Sequence, residues 1–451
     1  MSIKIGMVSL GCAKNQVDAE IMAGNLTANN FEITSDPSQA EVIIINTCGF
    51  IEDAKKEAID AILEMAEYKK TGVCKALVVT GCLAERYFED IQESMPEVDA
   101  VLGIGQYKDI LAAVEEVLKG KKYFDKTEDF SVDYLDDSRL LFENTGSAYL
   151  KIAEGCDNRC NYCAIPSIRG PFRSRLIENL VEEAEGLAKQ GIRELVVVAQ
   201  DTTRYGKDIY GKPSLPELLT ELDKVEGIEW IRVMYLYPDE ITERLIDTIA
   251  KSKKILHYVD LPIQHISTRL LAEMNRRGTG DDIRRIFKEF KERMPDCMIR
   301  TSLIVGYPGE TEDDYLELKD FLKETQFDRV GIFKYSMEEG TVAAESDNQI
   351  APEIMDERYD SLMEIQQGIS LELNKGKVGK VYKTLVEGVS DDGIFYKGRT
   401  YAHAPEVDGY VYFTSEEPLE PGDMVDVKML IAEEYDMTGE AIFTEEGTAL
   451  N

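Results

Sequence analysis

Histidine and tryptophan are scarce in this chain, with three of one and one of the other in 451 residues. His257, His265 and His403 all stand far in sequence from any group of cysteines, which starves a mixed Cys/His zinc site of ligands. Long apolar runs are missing too. Those present, such as Val42–Ile45 and Leu195–Ala199, have the length of a core strand, whereas a membrane-spanning helix needs about 20 apolar residues. The opening MSIKIGMVSLGC runs into a strand pattern without the charged, apolar and small-residue zones of an export signal. These absences lead to the expectation of a cytoplasmic protein with no membrane partner. Basic residues are also in deficit, 51 against 86 acidic, for a net charge of −35. A charge of that size bears on partners rather than on fold. It counts against a nucleic acid as main substrate, because phosphate is bound by Lys and Arg. It suits a basic protein partner, and it equally suits a solvated acidic surface.

What is present is an ordinary globular balance, 43% hydrophobic and 30% charged, over a length that suggests roughly three domains of about 150 residues. In the first 120 residues, Ile3–Leu10, Val42–Thr47, Ala76–Thr80 and Ala100–Ile104 read as buried strands. Amphipathic stretches such as Asp53–Tyr68 separate them, an alternation that predicts a parallel sheet covered by helices. Lys121–Asp137 is polar and reads as a linker. Six further strand candidates follow, Ala148–Ala153, Leu195–Gln200, Trp230–Tyr237, His257–Pro262, Met298–Val305 and Arg329–Tyr335. Separated by helices, they predict a partial TIM-like (β/α)6 barrel, whose chemistry belongs at the C-terminal strand ends. From about Lys375 the pattern becomes all-β, with strands over Val378–Val389, Gly393–Tyr396, Gly409–Thr414 and Met424–Tyr435 and turns at Asp391–Gly393 and Pro421–Asp423, which predicts a small closed barrel. The expected class is α/β, divided as 1–120, a linker at 121–140, 141–374 and 375–451.

Eight cysteines in a chain expected to be cytoplasmic favour metal or redox roles over disulfides. Cys156, Cys160 and Cys163 are spaced C-x3-C-x2-C. Iron–sulfur clusters take thiolate ligands, usually four, so three would leave one iron of a four-iron cluster open. Structural zinc, by contrast, is closed by four protein ligands. Cys12, Cys48 and Cys82 follow three predicted parallel strands at intervals of 36 and 34 residues, each beside a glycine (Gly11, Gly49, Gly81) that lets the backbone approach a cofactor closely. Strand ends of a parallel sheet share the edge where ligands bind, so these three can converge. They also read as ordinary buried cysteines. Arg169, Arg173 and Arg175 form a basic run beside the first triad, suited to a carboxylate or to a plain surface cluster.

The segment Glu154-Gly-Cys-Asp-Asn-Arg-Cys-Asn-Tyr-Cys-Ala164 resembles the signature of the radical S-adenosylmethionine enzymes. The resemblance implies that the open iron binds S-adenosylmethionine and that one electron converts it to methionine and a 5′-deoxyadenosyl radical. It places Tyr162 beside the adenine. Gly306-Tyr-Pro-Gly309-Glu310 looks like the glycine-containing cofactor contact of those enzymes, and also like an ordinary strand-to-helix turn. Over nearly the whole chain the resemblance narrows to the methylthiotransferases, whose C-terminal barrel is called TRAM. It implies that Cys12, Cys48 and Cys82 hold a second 4Fe–4S cluster, and that Cys74 and Cys297 are structural. Ser9–Asn15, Ala164–Gly170, Gln200–Gly206 and Gly398–Gly409 are similar to the branch that modifies an aspartate of small-subunit ribosomal protein number twelve. His403 departs from that branch's usual acidic residue. The implied reaction uses two S-adenosylmethionine molecules, one to methylate a sulfur at the N-terminal cluster and one to make the radical. The radical takes hydrogen from the aspartate β-carbon, where the methylthio group is added. A sulfur donor and a one-electron reductant are implied partners. The alternative is the same chemistry on a transfer RNA adenosine. From Lys380 to Asn451 there are 5 basic and 16 acidic residues, a net of −11, whereas a nucleic-acid reader carries a basic face. A non-catalytic carrier with two clusters would fill every cluster position with cysteine, and each triad is one short.

Overall fold

The computed structural model describes residues 2–126 and 131–443. The chain divides into two compact units, one of Met1–Phe142, Lys151–Arg175 and Ser336–Ala344, the other of Glu143–Leu150, Leu176–Tyr335 and Glu345–Asn451.

The first unit is built on six strands, β1 (Lys4–Ser9), β2 (Glu32–Thr34), β3 (Val42–Thr47), β4 (Ala76–Gly81), β5 (Ala100–Leu102) and β6 (Tyr123–Asp125). They lie in the order β2-β1-β3-β4-β5-β6, and every pairing is parallel. Every residue of β3 and β4 is buried, which is why both read as apolar runs rather than alternations: a parallel sheet is covered on two faces. Helix Glu52–Ala66 buries Ala58, Ile62, Met65 and Ala66 against a core that includes Ile43, Ile45, Leu77 and Val79. Register is level at the C-terminal ends, with Ser9 beside Asn46 and Thr47 beside Gly81. Strands β2 and β6 are absent from the sequence reading because β2 carries a single apolar residue and β6 lies among charged residues, so neither shows an apolar run. Strand β6 falls within the stretch read as a linker, where Tyr134 and Leu135 are also buried. Residues 127–130 of that stretch, and 444–451 of the last expected domain, lie outside the described residues.

Strand β7 (Ser147–Lys151) precedes a two-stranded antiparallel pair in the first unit, β8 (Ala153–Glu154) with β9 (Arg173–Ser174). The second unit continues with β10 (Glu194–Val198), β11 (Trp230–Val233), β12 (Ile255–Asp260), β13 (Met298–Val305) and β14 (Arg329–Lys334). Their order is sequential, β7-β10-β11-β12-β13-β14, without closure. This is the partial barrel expected from six βα repeats. Burial alternates along β13, as on a sheet with one filled and one open face. A closed barrel follows, made of β15 (Val381–Val389), β16 (Tyr396–Thr400), β17 (Val411–Thr414), β18 (Met424–Ala432) and β19 (Met437–Ile442). The sequence pattern showed one strand over Met424–Tyr435; the chain instead turns after Ala432 and returns as β19. No helix among the described residues is long and apolar enough to cross a membrane.

The Gly398–Gly409 segment serves packing within this unit. Arg399 is fully buried and donates to Glu194 Oε2 at 2.6 Å, while Arg232 donates to Glu194 Oε1 at 2.8 Å and to the Tyr401 carbonyl at 2.8 Å. Tyr258 donates to Asp408 at 2.6 Å. His403 is buried, with Nδ1 2.9 Å from the Thr400 hydroxyl. Burial, with Arg329, Lys377, Arg232 and Arg399 around it, holds its pKa well below the ordinary value, so the ring is neutral. A neutral histidine fits a position already surrounded by cations.

Burial pushes the Glu194 carboxyl up, but Arg399 and Arg232 outweigh it and bring the pKa down to about 2 from an ordinary 4.5. A depressed folded-state pKa gives stability that is complete above 4.5 and is lost as pH falls toward 2. Glu194→Gln should therefore cost about 3–5 kcal/mol at neutral pH, because it strands buried guanidinium charge, and should remove that acid-labile increment. Trp230, the single tryptophan, is buried in β11 and reports the transition by fluorescence in urea at pH 7 and pH 4.

Candidate functional site

Three turns at the C-terminal edge of the parallel sheet carry Cys12, Cys48 and Cys82. Cys12 is the residue before helix Ala13–Ala28, Cys48 follows β3, and Cys82 begins the short helix Cys82–Arg86 directly after β4. The glycines beside them let these turns close on one another. A Cβ on Gly11, at φ +94°, would lie 2.7 Å from Cys48 Cβ and 3.0 Å from its Sγ. On Gly49 it would lie 2.7 Å from Leu83 Cα, beside Cys82. Only residues without a side chain allow that approach.

The three thiols feel one another. Burial, followed by repulsion from Cys12 and Cys48, raises Cys82 to about 12 against the pull of Arg169. Cys48 is raised by burial. Cys12 is exposed to solvent yet has protein on most sides. Burial raises it too, but Lys14, Arg169 and the backbone N–H groups of Asn15 and Lys14 take it below its ordinary value. Cys12 is thus the readiest of the three to offer a thiolate.

The second triad lies in the same unit, and all three cysteines are partly accessible. The Cys156 N–H donates to the Gly170 carbonyl at 3.1 Å, and the Cys163 N–H to the Cys160 carbonyl at 3.0 Å. A Cβ on Gly155 would lie 2.0 Å from the Pro171 carbonyl oxygen, so the segment before Cys156 and the segment after Gly170 are pressed together. Tyr162 is half-buried. Cys74 and Cys297 are buried and donate only to nearby carbonyls, Ala76 at 3.4 Å and Met298 at 3.5 Å.

The basic run does not form a surface cluster. Arg175 donates to Asp136 at 2.8 Å and to the Lys151 carbonyl at 3.0 Å, and Arg173 donates to the Arg169 carbonyl at 2.7 Å. Arg169 is buried, and its Nη1 donates to Glu154 at 2.7 Å and to Asp18 at 3.1 Å. Lys151 pairs with Asp18 at 2.5 Å and with Glu154. The Tyr134 hydroxyl lies 3.2 Å from both carboxylates, to one of which it can donate at a time. Two cations face two carboxylates, the condition for burying either. Burial raises the Glu154 carboxyl, yet Arg169 and Lys151 hold it far below the usual carboxylate range. The other arm of Arg169, Nη2, donates to Asn15 and, at 3.4 Å, to Cys82 Sγ. Asp18, Lys151 and Tyr134 went unread in the sequence. The available signal was a lysine inside the otherwise apolar Ala148–Ala153, since a buried lysine requires a partner.

In the second unit, Gly306–Glu310 is a tight turn between β13 and helix Glu312–Thr325. The Gly306 N–H donates to Glu310 Oε2 at 2.6 Å, and Arg358 donates to the same oxygen at 2.6 Å. His265 Nε2 lies 3.3 Å from Glu310 Oε1. Glu310 is buried, with both carboxylate oxygens committed within the fold. It braces the turn. A Cβ on Gly306 would fall 2.1 Å from Met355 Cγ, and Thr311 with Asp314 forms the capping box that starts the helix.

Among the described residues no three His, Cys, Asp or Glu side chains already stand at metal-binding geometry. The fit of a cluster rests instead on donor chemistry and surroundings. Each triad is all thiol, the donor type that iron–sulfur clusters take. The N-terminal thiols converge with Arg169 beside them, a positive charge that opposes the rise burial imposes on Cys82 and Cys48 and helps take Cys12 below its ordinary value.

Residues 4–103 match the Uncharacterized protein family UPF0004, residues 150–322 the Radical SAM superfamily, and residues 378–442 the TRAM domain. In fold the chain is similar to the radical S-adenosylmethionine methyltransferase TsrM from Kitasatospora setae, with TM-score 0.55 at 14% identity over 85% of this chain and 81% of that one. It is also similar to the cobalamin-dependent radical enzyme OxsB, with TM-score 0.51 at 13% identity over 82% and 56%. Fold and matched domains together define a radical S-adenosylmethionine enzyme, a class that implies a 4Fe–4S cluster and S-adenosylmethionine. Ribosomal protein uS12 methylthiotransferase RimO of Acetivibrio thermocellus is 53% identical over 98% of this chain and 99% of its own. RimO of Clostridium tetani is 50% identical over 97% and 98%. The chain belongs to this RimO family of radical S-adenosylmethionine methylthiotransferases.

Gly11→Ala should displace Cys48, because the added carbon meets its side chain at a strained φ. If each triad holds a cluster, as the resemblance implies, the variant should after anaerobic reconstitution lose the iron of the Cys12, Cys48 and Cys82 site and keep that of the Cys156, Cys160 and Cys163 site. Iron assay of Gly11→Ala alone, and combined with alanine at the second triad, separates the two.

Proposed function

We propose that this chain adds a methylthio group to the β-carbon of an aspartate in ribosomal protein uS12, using two S-adenosylmethionine molecules and two 4Fe–4S clusters. The observation that carries the reading is the convergence of Cys12, Cys48 and Cys82 at one sheet edge, a second all-thiol site in addition to Cys156, Cys160 and Cys163. Cys156, Cys160 and Cys163 would hold the cluster that binds S-adenosylmethionine, and Cys12, Cys48 and Cys82 the other. When bound, these groups supply a methyl donor, a held sulfur and, with one external electron, the radical that removes the β-hydrogen. Tyr162 would lie beside the adenine. Gly306 and Gly309 would offer backbone to the cofactor on a turn that Glu310 braces. The same proposal divides the chain into an N-terminal domain at 1–120, a radical domain at 141–374 and a TRAM domain from 375.

Charge supports a protein substrate over transfer RNA. The C-terminal barrel nets −11, and one of its five basic residues, Arg399, is buried in ion pairs with Glu194 and Glu387. Glu416, Glu417 and Glu420 are exposed. Such a face repels phosphate and attracts a Lys/Arg-rich protein.

The direct test incubates reconstituted protein with S-adenosylmethionine, a reductant, and either uS12 or transfer RNA, and reads both by mass spectrometry. Methylthiolated transfer RNA with unmodified uS12 would overturn the assignment. With Cys12, Cys48 and Cys82 replaced by alanine, 5′-deoxyadenosine should still form while methylthiolation stops. Reversing Glu416, Glu417 and Glu420 to lysine should weaken binding to uS12 and flatten its salt dependence, since exposed charges are screened beyond about 10 Å at 0.1 M salt.

A further inference from the structure

The geometry points to Arg169 as a positioning residue for the N-terminal thiol site, whose Nη2–H donates to Cys82 and sets the reduction potential of the cluster held there. This rests on the proposed reading that Cys12, Cys48 and Cys82 hold a cluster.

The guanidinium divides its work. Nη1 is held by Glu154 at 2.7 Å and Asp18 at 3.1 Å, while Nη2 faces Asn15 and Cys82, the sulfur at 3.4 Å. Asn15 is itself fixed, because its amide donates to the Leu10 carbonyl at 2.9 Å and the Thr47 carbonyl at 2.8 Å. Its oxygen therefore has one orientation, and that orientation receives Arg169. The guanidinium stays charged at any working pH and cannot rotate out of its planar fork. Asp18 and Glu154 are neutralised by Lys151 and by Nη1, which leaves the second arm to the thiolate.

Hydrogen bonds to cluster sulfurs tune potential, and groups just outside the ligands orient them. One-electron reduction adds negative charge, so a charged N–H on a ligand sulfur favours the reduced cluster and raises its potential. Arg169 also belongs to the second triad's support, because Gly170, the next residue, accepts the Cys156 N–H. One side chain thus reaches a ligand of one cluster from the segment that shapes the other.

The test uses the full-length chain with Cys156→Ala, Cys160→Ala and Cys163→Ala, so that one cluster is observed. This parent should keep about four irons; if it keeps none, the cluster reading falls and this inference falls with it. Arg169→Met with Asp18→Asn removes one charge of each sign and keeps the buried site balanced. Potentiometric titration followed by electron paramagnetic resonance should show its potential shifted below the parent's. Asp18→Asn alone should not lower it. Arg169→Lys keeps the charge but cannot pair with two carboxylates and also reach sulfur, so its potential should fall between the two. It carries the test should the double variant shed its iron. A variant that retains iron at the parent's potential would refute the role of Arg169.

Discussion

A charge taken out of water must find its opposite inside the fold, and each unit of this chain is arranged around one such obligation. In the first unit Arg169 and Lys151 meet Asp18 and Glu154, all fully buried. These residues come from the helix after β1, from the end of β7, from β8 and from the segment after the second cysteine triad. None of the four can be left without its partners, because an uncompensated buried charge is far more costly than a matched pair. The network therefore fixes the segments that carry Cys12 and Cys156 in one arrangement. In the second unit Glu194 does the same for Arg232 and Arg399, joining the open barrel to the closed one through the Gly398–Gly409 segment.

Much of this was legible in the sequence. Parallel α/β order followed from apolar runs such as Val42–Ile45 alternating with helical spacing, and β3 and β4 are buried throughout. Six repeats predicted the open barrel, and the turns at Asp391–Gly393 and Pro421–Asp423 predicted the closed one. What was missed is what periodicity cannot carry. Strand β2 carries a single apolar residue and β6 lies among charged residues. Strand β19 was hidden because Met424–Tyr435 continues without an obvious breaker. The partners of Arg169 were invisible for a different reason: Asp18 and Arg169 are 151 residues apart, and nothing local marks a long-range ion pair. The arginine itself was noticed, but the choice between a ligand contact and a surface cluster could not reach its burial.

The same limit governs the signature of the C-terminal barrel. Gly398–Gly409 looked like a mark of substrate choice, and much of it turns out to pack inside the protein, while Glu406 and Val407 face solvent. Arg399 and His403 are buried, and Asp408 accepts from Tyr258. A motif can distinguish one branch of a family while much of it serves packing. What the barrel shows to water at Glu416, Glu417 and Glu420 is acidic. With Arg399 consumed by Glu194 and Glu387, few basic groups remain to balance the exposed acids.

The glycines beside the N-terminal cysteines deepen this point. Their sequence reading was that a bare backbone admits a cofactor. In the fold, the space denied to a side chain at Gly11 is filled by Cys48, at Gly49 by the backbone of Leu83, and at Gly81 by the Thr47 carbonyl, 2.4 Å from where a Cβ would sit. Each glycine admits the neighbouring cysteine-bearing turn. Parallel strands lie ~4.8 Å apart, and turns leaving adjacent strands would normally be held apart by their own side chains. Removing those side chains lets three cysteines from separate βα turns meet in front of the sheet edge. The convergence of the thiols is therefore written twice, once in the strand order that sets the turns side by side and once in the glycines that let them close.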